Sequence, residues 1–170
     1  FHEFGHGLHG LLSNVDFERL SGTSVLLDFV ELPSQIFEHW AFEPEVLGRH
    51  ARHHATGEAL PAEAIEKLAR ARRFNQGFEA VEYTSCALVD MALHANPDPA
   101  GVDIDAFEAS ELRRIGMPRE IVMRHRLPQF NHLFTSDDYS AGYYSYLWSD
   151  VMAADTIAAF TEAGDVFDPT

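Results

Sequence analysis

Residues 77–94 read Gly77-Phe78-Glu79-Ala80-Val81-Glu82-Tyr83-Thr84-Ser85-Cys86-Ala87-Leu88-Val89-Asp90-Met91-Ala92-Leu93-His94, and within them Phe78, Val81, Ser85, Leu88 and Ala92 recur at intervals of 3, 4, 3 and 4. That period lays them along one stripe of an α-helix packed on a core. On either side the pattern repeats. Phe1, Phe4, Leu8 and Leu11/Leu12 share a stripe that Ser13-Asn14-Val15-Asp16 ends, and a helix from about Ser24 to Phe42 carries Leu27, Val30, Ile36, Phe37 and Trp40. Pro33 is expected to kink that helix, because its ring removes a backbone donor, and Pro44 to break it. Two charged, peripheral helices follow at about Glu45–His54 and Ala62–Arg73, with Pro61 at a helix-starting position. Asp103 is placed to cap a helix reaching Ile115, and the stretch Pro118–Pro128 is irregular or short-helical. The last strong helix is expected from Tyr139 to Ala163, with Gly164 to end it. No alternating run of strand length interrupts this succession, so the chain reads as all-α: a multi-helix subdomain without repeats or low-complexity tracts.

With 170 residues, 46% apolar and 23% charged, the chain has globular composition and length for one domain, residues 1–170. Twelve Lys and Arg against 27 Asp and Glu leave a net charge of −15, which disfavours nucleic-acid phosphates and anionic lipid as partners. No run of about 18 apolar residues is present to span a membrane, and nothing at the start looks like a signal peptide. Cys86 is the one cysteine, so no internal disulfide forms; in its apolar helix it reads as a small buried side chain. The expected compartment is reducing and cytoplasmic. Because the sequence begins at Phe1 and enters a motif at once, it is expected to be a piece of a longer chain.

That motif is His2-Glu3-Phe4-Gly5-His6. On a helix the i, i+4 spacing sets both imidazoles on one face, where their ring nitrogens can reach a single metal ion. Glu3, rotated about 100° from His2, reaches past the metal toward a bound water and can take its proton as a general base. The site then needs a third ligand on an inward, otherwise apolar face. Glu31 in Asp28-Phe29-Val30-Glu31-Leu32-Pro33-Ser34-Gln35 meets that demand, since a lone carboxylate among large apolar residues is expensive unless paired or metal-bound. Glu38, seven residues on, shares the helix face and can accept a hydrogen bond from a ligand histidine. His50, His53 and His54 sit among cations and read as a solvated helix face, whereas His9 and His39 read as hydrogen-bond partners near the metal. Tyr139, Tyr143 and Tyr146, at i, i+4 and i+7, would stack three phenols along one helix face, beside a neighbouring face of Leu147, Val151 and Ala154.

Four blocks in this order resemble the C-terminal part of the catalytic domain in the thimet oligopeptidase family of zinc metallopeptidases. They are residues 1–9, Phe-His-Glu-Phe-Gly-His-Gly-Leu-His; residues 28–35 followed by His39-Trp40; Phe74-Asn75-Gln76-Gly77-Phe78-Glu79; and Ala141-Gly142-Tyr143-Tyr144-Ser145-Tyr146-Leu147-Trp148-Ser149. The resemblance spans nearly the whole chain, and the forms Gln76-Gly77-Phe78 and Glu38-His39-Trp40 look more like its peptidyl-dipeptidase branch. It implies one Zn2+ held by His2, His6 and Glu31, with Glu3 as the base, and short peptides as substrates. It also implies that His132, Tyr139, Tyr143 and Tyr146 hold the substrate and stabilise the oxyanion. Between His132 and Tyr139 the chain departs from the glycine-rich family pattern with Phe134-Thr135-Ser136-Asp137-Asp138, which is longer and acidic. Two function classes stay open: a peptidase, in which an N-terminal remainder of the same chain builds the other wall of the substrate channel, and a catalytically incomplete module that binds metal or only packs.

Overall fold

A computed structural model describes residues 1–168. The regular secondary structure of the described residues is helical, with no strand among them beyond an isolated bridge between Arg52 and Ala59. The helices are α1 (His2–Leu11), α2 (Leu27–Val30), α3 (Leu32–Ala41), α4 (Pro44–His50), α5 (Ala62–Ala71), α6 (Gln76–His94), α7 (Ile104–Arg114), α8 (Asn131–Phe134) and α9 (Ser145–Ala163). The all-α expectation holds. Residue contacts divide the chain into two compact units, one of Phe1–Phe74 with the segment from Tyr146 onward, the other of Asn75–Ser145.

In the first unit α1 lies against α3. Phe1 and Phe4 pack on Phe37 with ring centroids 5.2 and 5.8 Å apart. Between them Gly5 allows the closest approach: a Cβ built on it would fall 2.5 Å from Ser34 Cα and 2.8 Å from the Pro33 carbonyl oxygen, so only glycine fits. The expected kink at Pro33 is instead a break. Helix α2 ends at Val30, and Pro33 sits in the first turn of α3, where a missing N–H leaves no intrahelical bond unmade. Both ends of α9 are tied to this segment. Gln35 Nε2 donates to the Tyr146 carbonyl at 3.0 Å and Ser149 Oγ to the Asp28 carbonyl at 2.8 Å. At the other end Trp40 Nε1 donates to the Val166 carbonyl at 3.0 Å, and its ring meets Phe160 edge-on at 5.2 Å.

The second unit holds most of the buried apolar side chains. Cys86, Val89, Leu127, Phe130 and Leu133 are all at most 1% exposed, gathered from α6, α8 and the turn before α8. Asp103 caps α7 by accepting the Ala106 N–H at 3.0 Å, as its position predicts. From α7 the buried Glu108 accepts Arg126 Nε at 2.8 Å and the Leu127 N–H at 2.9 Å, which fixes the irregular stretch after Pro118. Burial pushes the Cys86 thiol above its ordinary pKa, in keeping with a packing role.

Two expected helices are shorter than the sequence suggests: α4 ends at His50, so His53 and His54 lie beyond it rather than on a helix face, and α9 starts late. Residues 138–144 form turns, and α9 begins only at Ser145. Ala141 has φ +56°, a left-handed conformation that a right-handed helix cannot contain. Gly164, at φ +89°, follows the last residue of α9 as predicted.

Candidate metal centre and phenol turn

Helix α1 presents His2 and His6 one turn apart, with ring centroids 5.0 Å apart and the planes nearly perpendicular. Glu31 comes to them from the junction between α2 and α3, where it is the residue flanking the start of α3. Its Oε2 lies 3.4 Å from His2 Nε2 and 3.2 Å from His6 Nε2. Among the described residues these three form the one cluster whose ligand atoms all fall within 4.8 Å of one another.

The donor set fits a metal. A four-coordinate ion with bonds of about 2.0–2.1 Å requires ligand atoms about 3.3 Å apart, close to the two separations observed. Glu31 is 3% exposed, and a carboxylate that deeply buried needs a cation or strong donors beside it. Ser34 supplies one donor: its Oγ lies 2.8 Å from the Glu31 carbonyl and 3.1 Å from Glu31 Oε2. His2 Nδ1 lies 2.5 Å from Glu38 Oε1, as the shared face predicts. With the proton on Nδ1 donated to Glu38, Nε2 of His2 keeps a lone pair for a metal. His6 Nδ1 is buried without a hydrogen-bond partner. Glu3 is exposed in the first turn of α1, one residue beyond His2. His9 does not take the expected role of hydrogen-bond partner at Nδ1, which is buried without a partner; its ring instead meets Phe29 edge-on at 6.2 Å. His50, His53 and His54 are exposed and belong to no metal cluster among the described residues.

The four residues assigned to substrate and oxyanion binding divide between the units. His132, Tyr139 and Tyr143 belong to the second, Tyr146 to the first. In the second unit the His132 ring lies edge-on to Tyr139 at 5.9 Å and at 5.6 Å from Tyr143. Phe130 meets Tyr143 edge-on at 4.7 Å, and His125 completes the cluster at 5.8 Å from His132. Burial first, and then the charges of Arg124 and His132, hold the His125 pKa below its ordinary value of 6.5.

The stacking of Tyr139, Tyr143 and Tyr146 on one helical face is corrected. Tyr139 and Tyr143 lie in the turns before α9, and Tyr146 alone of the three is helical. The reason lies in α6. Asp90, fully buried, accepts the Ala141 N–H at Oδ1 and the Tyr143 N–H at Oδ2, each at 2.9 Å, which takes both amides out of any helical ladder. Tyr143 is 4% exposed and Tyr144 37%. Asp90, Tyr83, Gln35 and Ser34 escaped the sequence reading. The signal for Asp90 was a carboxylate between Val89 and Met91 on an apolar helix, with His94 four residues on.

A helical chain whose first helix offers two imidazoles to a buried carboxylate has the architecture of a helical metallopeptidase. The chain belongs to peptidase family M3, a family of metallopeptidases, whose model matches residues 1–168, and this bears out the resemblance drawn from the four sequence blocks. It is similar to the dipeptidyl carboxypeptidase of Escherichia coli (strain K12), 45% identical over 167 residues that cover 96% of this chain and 24% of that protein. Oligopeptidase A of the same organism is 39% identical over 168 residues, with the same two coverages of 96% and 24%. Mitochondrial intermediate peptidase of Arabidopsis thaliana is 37% identical over 154 residues, 91% of this chain and 21% of that protein. The chain spans about a quarter of the length of the curated relatives it matches. No helix among the described residues is long and apolar enough to cross a membrane.

Proposed function

We propose that these residues carry the catalytic centre of a zinc-dependent oligopeptidase or peptidyl-dipeptidase that hydrolyses short peptides in the cytoplasm. The observation that carries this reading is the convergence of His2, His6 and Glu31 within 4.8 Å. One Zn2+ bound by them supplies a Lewis acid for the scissile carbonyl and lowers the pKa of water. Glu3 accepts a proton from the attacking water at a carboxylate oxygen and passes it to the amine nitrogen as the C–N bond breaks. Its exposure beside His2 leaves the carboxylate free to do so. Glu38 holds the His2 tautomer, and Ser34 holds the Glu31 carboxylate. Tyr143 and Tyr146 donate phenolic hydrogen bonds to the oxyanion, while His132 and Tyr139 hold the substrate. The similarity to the dipeptidyl carboxypeptidase and to oligopeptidase A supports short peptides as the substrate class.

The rival is a catalytically incomplete module that binds metal or only packs, without turnover. One experiment separates the two. Glu3→Gln in the complete chain keeps the shape of the side chain and removes its basicity. Turnover of a quenched peptide is expected to fall by about 10²–10⁴ while metal content stays at one zinc per chain. More than a tenth of wild-type turnover would assign the base elsewhere. Zinc binding with no turnover by the unsubstituted complete chain would establish the module.

A further inference from the structure

Helix α6 turns one face to the segment that carries Tyr139 and Tyr143, and the side chains on that face are not the ones that usually make a core. Tyr83 and Asp90 are seven residues apart, two turns of helix, and therefore project from the same side. Asp90 is completely buried, yet it is a carboxylate. Both its oxygens are engaged by backbone: Oδ1 accepts the Ala141 N–H and Oδ2 the Tyr143 N–H, each at 2.9 Å. His94, one turn further along α6, reaches Oδ1 through Nδ1 at 2.8 Å. The Tyr83 hydroxyl donates to the Tyr143 carbonyl, and its ring stacks on that of Tyr143 at 5.0 Å and 25°. Tyr143 is thus held at its amide, its carbonyl and its ring by two residues of one helix.

What they hold is a backbone that would not hold itself. Ala141 sits at φ +56°, where an L side chain crowds the following carbonyl and which a non-glycine residue keeps only when its surroundings impose it. Removing the buried carboxylate frees residues 138–144 to extend α9 backward, the conformation that their own helical periodicity favours. Such a shift would rotate Tyr139 and Tyr143 to new directions. A carboxylate without a water-facing surface is a costly way to stabilise a fold, since apolar packing could fill the same space. It is an effective way to fix a particular turn.

We propose that Asp90, with Tyr83, is a positioning residue for the reaction: the pair clamps the turn at residues 138–144 so that the phenols of Tyr139 and Tyr143 are presented in one fixed direction. This rests on the role proposed above for those phenols. Asp90 touches no reacting atom, and its effect passes through the Ala141 and Tyr143 amides.

The test is made in the complete, zinc-loaded chain. Asp90→Asn keeps the volume and replaces one acceptor oxygen by an NH2 group that faces a backbone donor. Expected are a fall in kcat of roughly 10- to 100-fold with KM within about twofold of wild type, the size of effect that misplacing a catalytic group by an ångström produces. Amide hydrogen exchange in the peptide covering residues 139–144 is expected to rise, and zinc content to stay unchanged. Adding Ala141→Gly, which removes the left-handed strain, is expected to restore part of the lost kcat. If Asp90→Asn cannot be recovered folded, Tyr83→Phe removes one hydrogen bond, keeps the ring stack, and is expected to raise the same exchange and lower kcat several-fold. If Tyr143→Phe lowers kcat whereas Asp90→Asn or the folded Tyr83→Phe leaves both kcat and exchange at wild-type values, the clamp is wrong and the phenol role stands. Should Tyr139→Phe, Tyr143→Phe and Tyr146→Phe all retain wild-type kcat, the phenol role falls and the clamp falls with it.

Discussion

At the scale of single residues, the metal centre depends on side chains that touch ligands rather than on ligands alone. Glu38 accepts a hydrogen bond from His2 at 2.5 Å, and this bond decides which imidazole nitrogen is left for a metal. Glu38→Ala is therefore expected to weaken zinc binding by about 10–100-fold, measured by competition with a chromogenic chelator, with helix content unchanged. Wild-type affinity would mean that the tautomer is set by something else. His2, His6 and Glu38 were legible in the sequence because each acts through its own side chain at a spacing that helix geometry fixes, and Glu31 because a lone carboxylate among large apolar residues is expensive. Ser34, Tyr83 and Asp90 were not, because the atoms they bind include backbone carbonyls and amides, which every residue has and no pattern reports. Asp90 came nearest to legibility, as the one carboxylate in the stretch from Ser85 to Leu93.

At the scale of elements, the junction that brings Glu31 to α1 depends on a glycine and a proline. Pro33 ends one helical run and begins the next, so Glu31 lies at the break, and Gly5 lets α1 approach that break closely enough for both imidazoles to reach the carboxylate. Gly5→Ala places a methyl 2.5 Å from Ser34 Cα, against backbone that has no rotamer by which to yield. The helices must separate, at a cost of roughly 1–3 kcal/mol, although alanine is the better helix former. A lower melting temperature and a loss of zinc affinity should appear together. Retention of both would show that α1 and α3 do not meet as described. Helix periodicity recovered the bounds of α1, α6 and α7 to within a residue or two, but not the buried face of α6: Phe78, Val81 and Leu88 of the expected stripe are exposed, whereas Cys86, Val89, Asp90 and Leu93 are buried. It overextended α9 through residues 139–144, whose helical pattern is overruled by a carboxylate some fifty positions earlier in the chain. A long-range contact to backbone is invisible to any local period.

At the scale of the whole molecule, large apolar side chains remain exposed on α1 and the loop after it, among them Leu11 and Leu12 at 76% and Phe17 at 69%, in a chain a quarter the length of its relatives. The net charge of −15 sets a second global property, the response to acid. Protonation of so many carboxylates changes stability in ways no single residue controls, but a difference between two proteins that share those carboxylates isolates one group. His125 is the informative one. In the folded state burial, Arg124 and His132 hold its pKa below 6.5, with Glu82 opposing them, whereas the unfolded chain titrates at that ordinary value. Below pH 6.5 the unfolded state therefore binds a proton at His125 that the folded state does not yet accept, so folding becomes less favourable as pH falls. The stability it contributes is fully present above 6.5 and is lost as pH drops from there through the lower, folded-state value. Urea unfolding of wild type and His125→Asn, compared at pH 8 and at pH 5, is expected to show the wild type losing more stability on acidification than the variant. An equal loss would mean that the imidazole is as easily protonated folded as unfolded, and an opposite difference would mean that Glu82 outweighs burial and the neighbouring cations.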